Sequence, residues 1–182
     1  MPWTTPGTAV AGDVLTAAFW NTQVRDNSQH LYDAAKRIGY TTATSNYTVN
    51  QLTVANASNV FGNSISFTAD GTSSYQVQFY CARAAVPAAA AAYISVVLYD
   101  VTASAMSGVL AFPQVESAAA EMSVSIFARA WITPAAGTRT LNVRAIKANV
   151  ANNGTLYNGN GGTDPVSSYF PMHLAVFGPP LT

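Results

Sequence analysis

Between residues 65 and 177 apolar and polar positions alternate, and a period of two predicts strands. Ile65 and Phe67 open the pattern. Tyr75, Val77, Phe79 and Cys81 follow on one face, with Gln76, Gln78 and Tyr80 on the other. Tyr93 to Val101 places Ile94, Val96 and Leu98 inward. A looser strand surrounds Val109 to Pro113. Val124, Ile126, Ala128, Ala130 and Ile132 then alternate with Ser125, Phe127, Arg129 and Trp131. Leu141, Val143 and Ala145 read as the returning partner strand of that run, and Tyr169 to Phe177 as the last strand. Asp70-Gly71 between alternating runs reads as a hairpin turn. The total is about seven or eight short strands at regular spacing, the pattern of an antiparallel β-sandwich of jelly-roll type.

Residues 16–38 break this rhythm. Trp20, Val24, Asn27, Leu31, Ala34 and Ile38 fall at steps of four and three, the seam spacing of a coiled coil. Thr16 reads as the N-cap and Gly39 as the C-terminal stop. A helix so patterned either joins identical chains as an oligomerisation stalk or lies on its own domain. Asn27 favours the stalk, because a polar seam residue fixes register and oligomer state. Residues 1–15 carry two prolines and two glycines, so no regular element is expected there. They also carry Trp3, Pro6, Val10, Val14 and Leu15, an extended apolar arm suited to docking. The expected division is a docking arm and oligomerisation helix over 1–40 and a β-sandwich head over 41–182.

Composition sharpens this picture. Apolar residues make up 49% of the 182-residue chain, so a substantial core can be buried. Charged residues are only 9%, well under the usual quarter or so, and the net charge is zero. Ser, Thr, Asn and Gln must therefore supply the polar surface, which suits strands better than a helical bundle. No basic run provides the electrostatic footprint of a nucleic-acid binder. No apolar run is long enough to be expected to cross a membrane, and no leader peptide is expected at the N-terminus.

The N-terminal residues resemble a known group. Trp3-Thr4-Thr5-Pro6, then Gly12-Asp13-Val14-Leu15-Thr16-Ala17-Ala18, then Asn21-Thr22 and Arg25-Asp26-Asn27 are similar in order and spacing to the opening of a family of tailed-bacteriophage virion proteins. The similarity covers about the first thirty residues. Members are minor structural, tail-fibre-like or head-decorating proteins. The resemblance implies a virion component without specifying which part of the particle. The arm and helix lead us to expect docking to capsid or tail proteins and display on the particle exterior. Family members often carry an acidic residue at position 19, completing a capping box with the threonine. This chain has Phe19 there. The unit from Ala128 through Thr133-Pro134-Ala135-Ala136-Gly137 to Ala145 is similar in pattern to the jelly-roll heads of trimeric phage fibres and of the tumour-necrosis-factor/C1q-like group.

Catalytic chemistry finds little to stand on. The carboxylates are scattered, and no pair is placed for acid–base work on a sugar. Cys81 sits in a strand pattern as a small core residue, although pairing with His173 is conceivable if their strands are adjacent. The Gly159-Asn160-Gly161-Gly162 run lacks the following helix that a phosphate cradle needs. No catalytic, cofactor-binding or metal-binding residue is expected, and no cofactor. The outer face of the 124–132 strand is more informative. Phe127, Arg129 and Trp131 stand together there, and aromatic residues with Arg are typical of buried contacts between subunits. The sequence thus points to a non-enzymatic virion protein and homo-oligomer, with a trimer favoured. Its first role is capsid decoration or a head fibre. The alternative is a tail-fibre or baseplate receptor binder that reads host surface glycan.

Overall fold

The computed structural model describes residues 16, 18, 21–26, 36–88, 92–115, 121–148, 152–159 and 171–178. Among the described residues a six-residue π-helical turn, Asn21–Asp26, precedes eleven strands. They are β1 (Arg37–Thr42), β2 (Tyr47–Val49), β3 (Ile65–Ala69), β4 (Tyr75–Val86), β5 (Ala92–Asp100), β6 (Ala105–Ala111), β7 (Gln114–Val115), β8 (Met122–Ile132), β9 (Gly137–Lys147), β10 (Gly154–Tyr157) and β11 (His173–Phe177). All pairings are antiparallel. In the first sheet β1, β11, β4 and β8 lie side by side, and β10 pairs with the C-terminal part of β4 on the side away from β8, with β2 outside β10. The second sheet runs β3, β9, β5, β6, with the short β7 also on β5.

The pairing is nested. β1 pairs β11, β3 pairs β9, β4 pairs β8, and β5 pairs β6, as though one long hairpin had been rolled up. The contacts β11–β4 and β9–β5 then knit the roll into two sheets. The outcome is a mainly β protein with the architecture of a β-sandwich.

Each long strand turns one apolar row inward. Tyr75, Val77, Phe79 and Cys81 of β4 lie beside Leu174 and Val176 of β11. Facing them are Ile65 and Phe67 of β3, Leu141, Val143 and Ala145 of β9, and Ile94, Val96 and Leu98 of β5. The inward rows of β3, β4, β5 and β9 are buried, while on β8 only Ile126 is, with Val124, Ala128 and Ile132 half-buried against the core. Burial removes their apolar surface from water at roughly 25 cal/mol per Å2, the main driving force for closing the two layers.

Three sequence expectations are corrected. Ile38 and Gly39 do not end a helix, because Arg37–Thr42 is β1, hydrogen-bonded to β11 and running across residue 40. Ile38 packs against the core from this strand, and a Cβ on Gly39 would collide with the side chain of Ile65. The β-branched Ile38, Thr41 and Thr42 favour a pleated, half-buried setting over a helix. The Asp70-Gly71 turn is not a hairpin, since β3 belongs to the second sheet and β4 to the first. β9 is not the partner of β8, because the 133–136 loop likewise carries the chain from one sheet to the other.

The Asp70 turn shows how such a crossing is held. Backbone N–H groups of Thr72 and Ser73 donate to Asp70 Oδ1 at 2.9 and 2.7 Å, and the Ser73 hydroxyl donates to Oδ2. Gly71 has φ +86°, a left-handed conformation that glycine adopts without penalty, and packs against Ala136 of the other crossing. The Ser73 hydroxyl and the two backbone N–H groups hold the Asp70 carboxyl down at about 2, from an ordinary value of 3.8. A carboxyl depressed on folding adds stability above its unfolded pKa and loses it as pH falls through the folded value. The melting temperature of the wild type is therefore expected to drop from about pH 4 down to about pH 2 more steeply than that of Asp70→Ala. Calorimetry across that window checks it, and parallel curves would dismiss the turn as a contributor.

Buried and half-buried polar groups pin other loops. Arg144 donates from one guanidinium nitrogen to the carbonyls of Val54 and Ala55 at 2.8 and 3.3 Å, and its guanidinium lies 3.5 Å from the Tyr99 ring centroid. That ties the long 50–64 connection to β9. Arg139 and Asp100 approach to 3.7 Å where β5, β9 and the 101–104 turn meet. Lys147, nearly enclosed, donates to Asn153 Oδ1 at 2.7 Å.

Candidate interaction face

The outward side of the first sheet carries the residues that the sequence singled out. Along β8, Ser123, Ser125, Phe127, Arg129 and Trp131 point away from the core. Directly opposed residues of antiparallel strands share a face. The register therefore lays out rows across the sheet. Thr42, His173, Tyr80 and Phe127 form one. Tyr40, Ala175, Gln78 and Arg129 form the next, and Phe177, Gln76 and Trp131 a third. From β1 to β8 the rows span about 14 Å at ~4.8 Å per strand step.

The face is aromatic, amide-rich and weakly positive. The His173 ring lies between Tyr80 and Tyr40, with centroids at 5.3 and 5.5 Å. Its Nδ1 donates to the Pro171 carbonyl at 3.0 Å, which fixes the tautomer. Gln78 Nε2 donates to Gln76 Oε1 at 2.7 Å. Arg37 lies over the Tyr40 ring at 4.3 Å and Arg129 over the Phe127 ring at 5.0 Å. Neither guanidinium has a carboxylate within ion-pair distance among the described residues. Phe127 is 59% exposed and Trp131 56% exposed, although both are large and apolar. Large apolar side chains gathered on one side of a sheet mark a contact surface more often than chance exposure does.

The sequence found three residues of this face and missed Tyr40, His173 and Phe177. Those come from the first and last strands, and only the β1–β11–β4 pairing brings them beside β8. A second exposed group, Met106, Val109 and Phe112, was likewise passed over as part of a loose segment. Val109 stands opposite Val97 and Met106 opposite Tyr99, on the outward side of the second sheet.

The proposed oligomer seam fares differently. Val24 lies in the six-residue turn Asn21–Asp26 and is 41% exposed, while Ile38 lies in β1. Trp20, Asn27, Leu31 and Ala34 lie outside the described residues, as do the docking residues Trp3, Pro6, Val10, Val14 and Leu15.

Cys81 and His173 occupy opposite faces. His173 pairs with Tyr80 on the outer side, whereas Cys81 is fully buried on the inner side. They form no nucleophile–base pair. Burial pushes the Cys81 thiol up to about 11, and its S–H donates to the carbonyls of Arg83 and Tyr157 at 3.2 and 3.7 Å. A thiol so placed is almost wholly protonated near neutrality and a poor nucleophile. Cys81 is expected to resist alkylation in the folded protein and to react stoichiometrically once denatured. Rapid native labelling, read by intact mass, would contradict its burial.

No protein-family profile matches the chain. No curated protein sequence matches it either. Among solved structures, similarity is found to particles of infectious bursal disease virus. Its Gt strain gives a TM-score of 0.34 at 14% identity over 79% of this chain and 37% of that one. The T13 particle gives 0.37 at 13% identity over 79% and 35%, and the VP2 subviral particle 0.33 at 12% over 79% and 37%. This chain spans little more than a third of the length of those chains. At such TM-scores the likeness assigns neither family nor function.

Proposed function

We propose that the chain is a non-enzymatic structural component of a bacteriophage particle, a homotrimeric capsid-decorating or head-fibre protein displayed on the exterior. The observation that carries this reading is the outer face of β8. Phe127, Arg129 and Trp131 stand open on a rigid sheet, in register with Tyr80, Gln78 and Gln76. A face of this make-up gains most by being covered in an assembly. The N-terminal resemblance to tailed-phage virion proteins supplies the particle, and the arm over 1–15 the attachment to capsid or tail proteins. The nested pairing of two antiparallel sheets supports reading the sandwich as a jelly roll, an architecture common in viral coats. A chain in which only 9% of residues are charged suits permanent packing better than free diffusion.

The test is imaging of whole particles with the protein labelled. Many copies spread over the capsid, with binding of purified protein to empty heads, is the expected result. A few copies confined to the tail tip, with staining of host cells by the isolated head, would make the chain a glycan-reading receptor binder instead. Absence from the particle would end the proposal.

A further inference from the structure

Two apolar groups flank one edge of the sandwich. β8 is the outermost strand of the first sheet and β6 the outermost of the second, and the two lie beside each other. Phe127 and Trp131 point outward from the β8 side of this edge, and Met106 and Val109 from the β6 side, with Phe112 just beyond the end of β6. The edge thus has an apolar surface on each flank.

The flanks differ in chemistry. The β8 side carries Arg129 beside Trp131, donors without a carboxylate partner among the described residues. The segment from Ala105 to Phe112 has no charged residue. As an outermost strand, β6 also has one row of backbone N–H and C=O groups without a neighbouring strand of its own sheet among the described residues. A twofold contact of the β8 flank with itself would press Arg129 toward its own copy with no anion between them, and like charges in a contact are costly. Placing the β8 flank on the β6 flank of another copy avoids this. Aromatic rings then meet Met106, Val109 and Phe112, and the guanidinium and indole donors meet open carbonyls.

From this we infer that copies of the chain associate head to tail, the β8 flank of one against the β6 flank of the next, with the β6/β8 edge pointing at the symmetry axis. This rests on the reading of the chain as a self-assembling structural protein and names the second surface that such an assembly uses. A heterologous contact closes into a ring when the rotation allows, and a cyclic trimer is the ring that fits the proposed function.

Complementation tests it on the full chain. Trp131→Glu spoils the β8 flank and Val109→Glu the β6 flank, both at exposed positions. Each variant alone is expected to sediment at the 19.1 kDa subunit mass, under conditions where the wild type assembles. An equimolar mixture is expected to recover a species of twice that mass. The intact β8 flank of Val109→Glu meets the intact β6 flank of Trp131→Glu there, and one sound contact per pair remains. Circular dichroism confirms that both variants fold. If Val109→Glu stays assembled, or the mixture stays at subunit mass while the wild type is oligomeric, the head-to-tail contact is wrong and self-assembly stands. If the wild type itself is a lone subunit, both readings fall.

Discussion

Replacing Phe79 by alanine is expected to lower the melting temperature more than any other single truncation of a core side chain. Phe79 sits near the middle of β4, fully enclosed, with Leu174 of β11 on one side and Ala128 of β8 on the other. Its ring meets Phe61 edge-on at a centroid distance of 6.1 Å, and Phe61 belongs to the long connection before β3. The side chain therefore joins three strands of one sheet to the covering loop. Strands on both sides are hydrogen-bonded in register and cannot collapse into the space left behind. Truncation of a buried Phe costs about 3–5 kcal/mol, the upper part of which reflects the unfilled cavity. For a domain of this size that is a fall of roughly 6–20 °C in Tm. Phe79→Leu fills most of the space and is expected to cost about half as much or less. Denaturant unfolding should show a lower midpoint at unchanged slope, because the surface exposed on unfolding is nearly the same. A loss under about 1 kcal/mol for the alanine variant would mean that the two sheets do not close on Phe79.

Which side chains face inward was legible in the sequence, since a period of two states it residue by residue. Which strand lies beside which was not. Ile65 and Phe67 can bury the same surface whether Tyr75 and Val77 lie next to them in one sheet or across the core in the other. The local Asp-Gly signal could not separate these cases. Asp70 and Gly71 are chosen for turn geometry that serves a crossing between layers as well as a hairpin. The same ambiguity made β9 look like the partner of β8. At residues 37–39 a four-and-three spacing carried the helix pattern through to Ile38. Strand pairing with β11 overrides it, because Ile38 finds a core to pack on and Gly39 fits against Ile65 only without a side chain. The interaction face was half legible for the same reason. Phe127, Arg129 and Trp131 follow one another on a single strand, while Tyr40, His173 and Phe177 join them only through long-range pairing.

Trp131→Ala is expected to separate assembly from folding. At 56% exposure in the single chain, the indole contributes little to the subunit itself, and a surface truncation usually changes stability by about 0.5 kcal/mol or less. A tryptophan at the centre of a buried contact behaves otherwise, since truncating such an anchor costs about 2 kcal/mol or more of association. The dissociation constant should then rise about 30-fold or more, because every 1.4 kcal/mol is tenfold. The signature is a melting curve that depends on concentration. An oligomer melts higher as protein is added, by mass action, and a subunit does not. Wild type is expected to show this dependence and Trp131→Ala to lose most of it, the two curves converging at high dilution. Phe79→Ala should do the reverse, lowering the curve at every concentration. Adding Phe127→Ala to Trp131→Ala should have a smaller effect than the first change, since the contact is already largely broken and neighbouring truncations are not additive. Should Trp131→Ala keep both the wild-type mass in sedimentation and the wild-type concentration dependence, the outer face of β8 is ordinary solvent-facing surface, and the contact between copies must lie elsewhere on the chain.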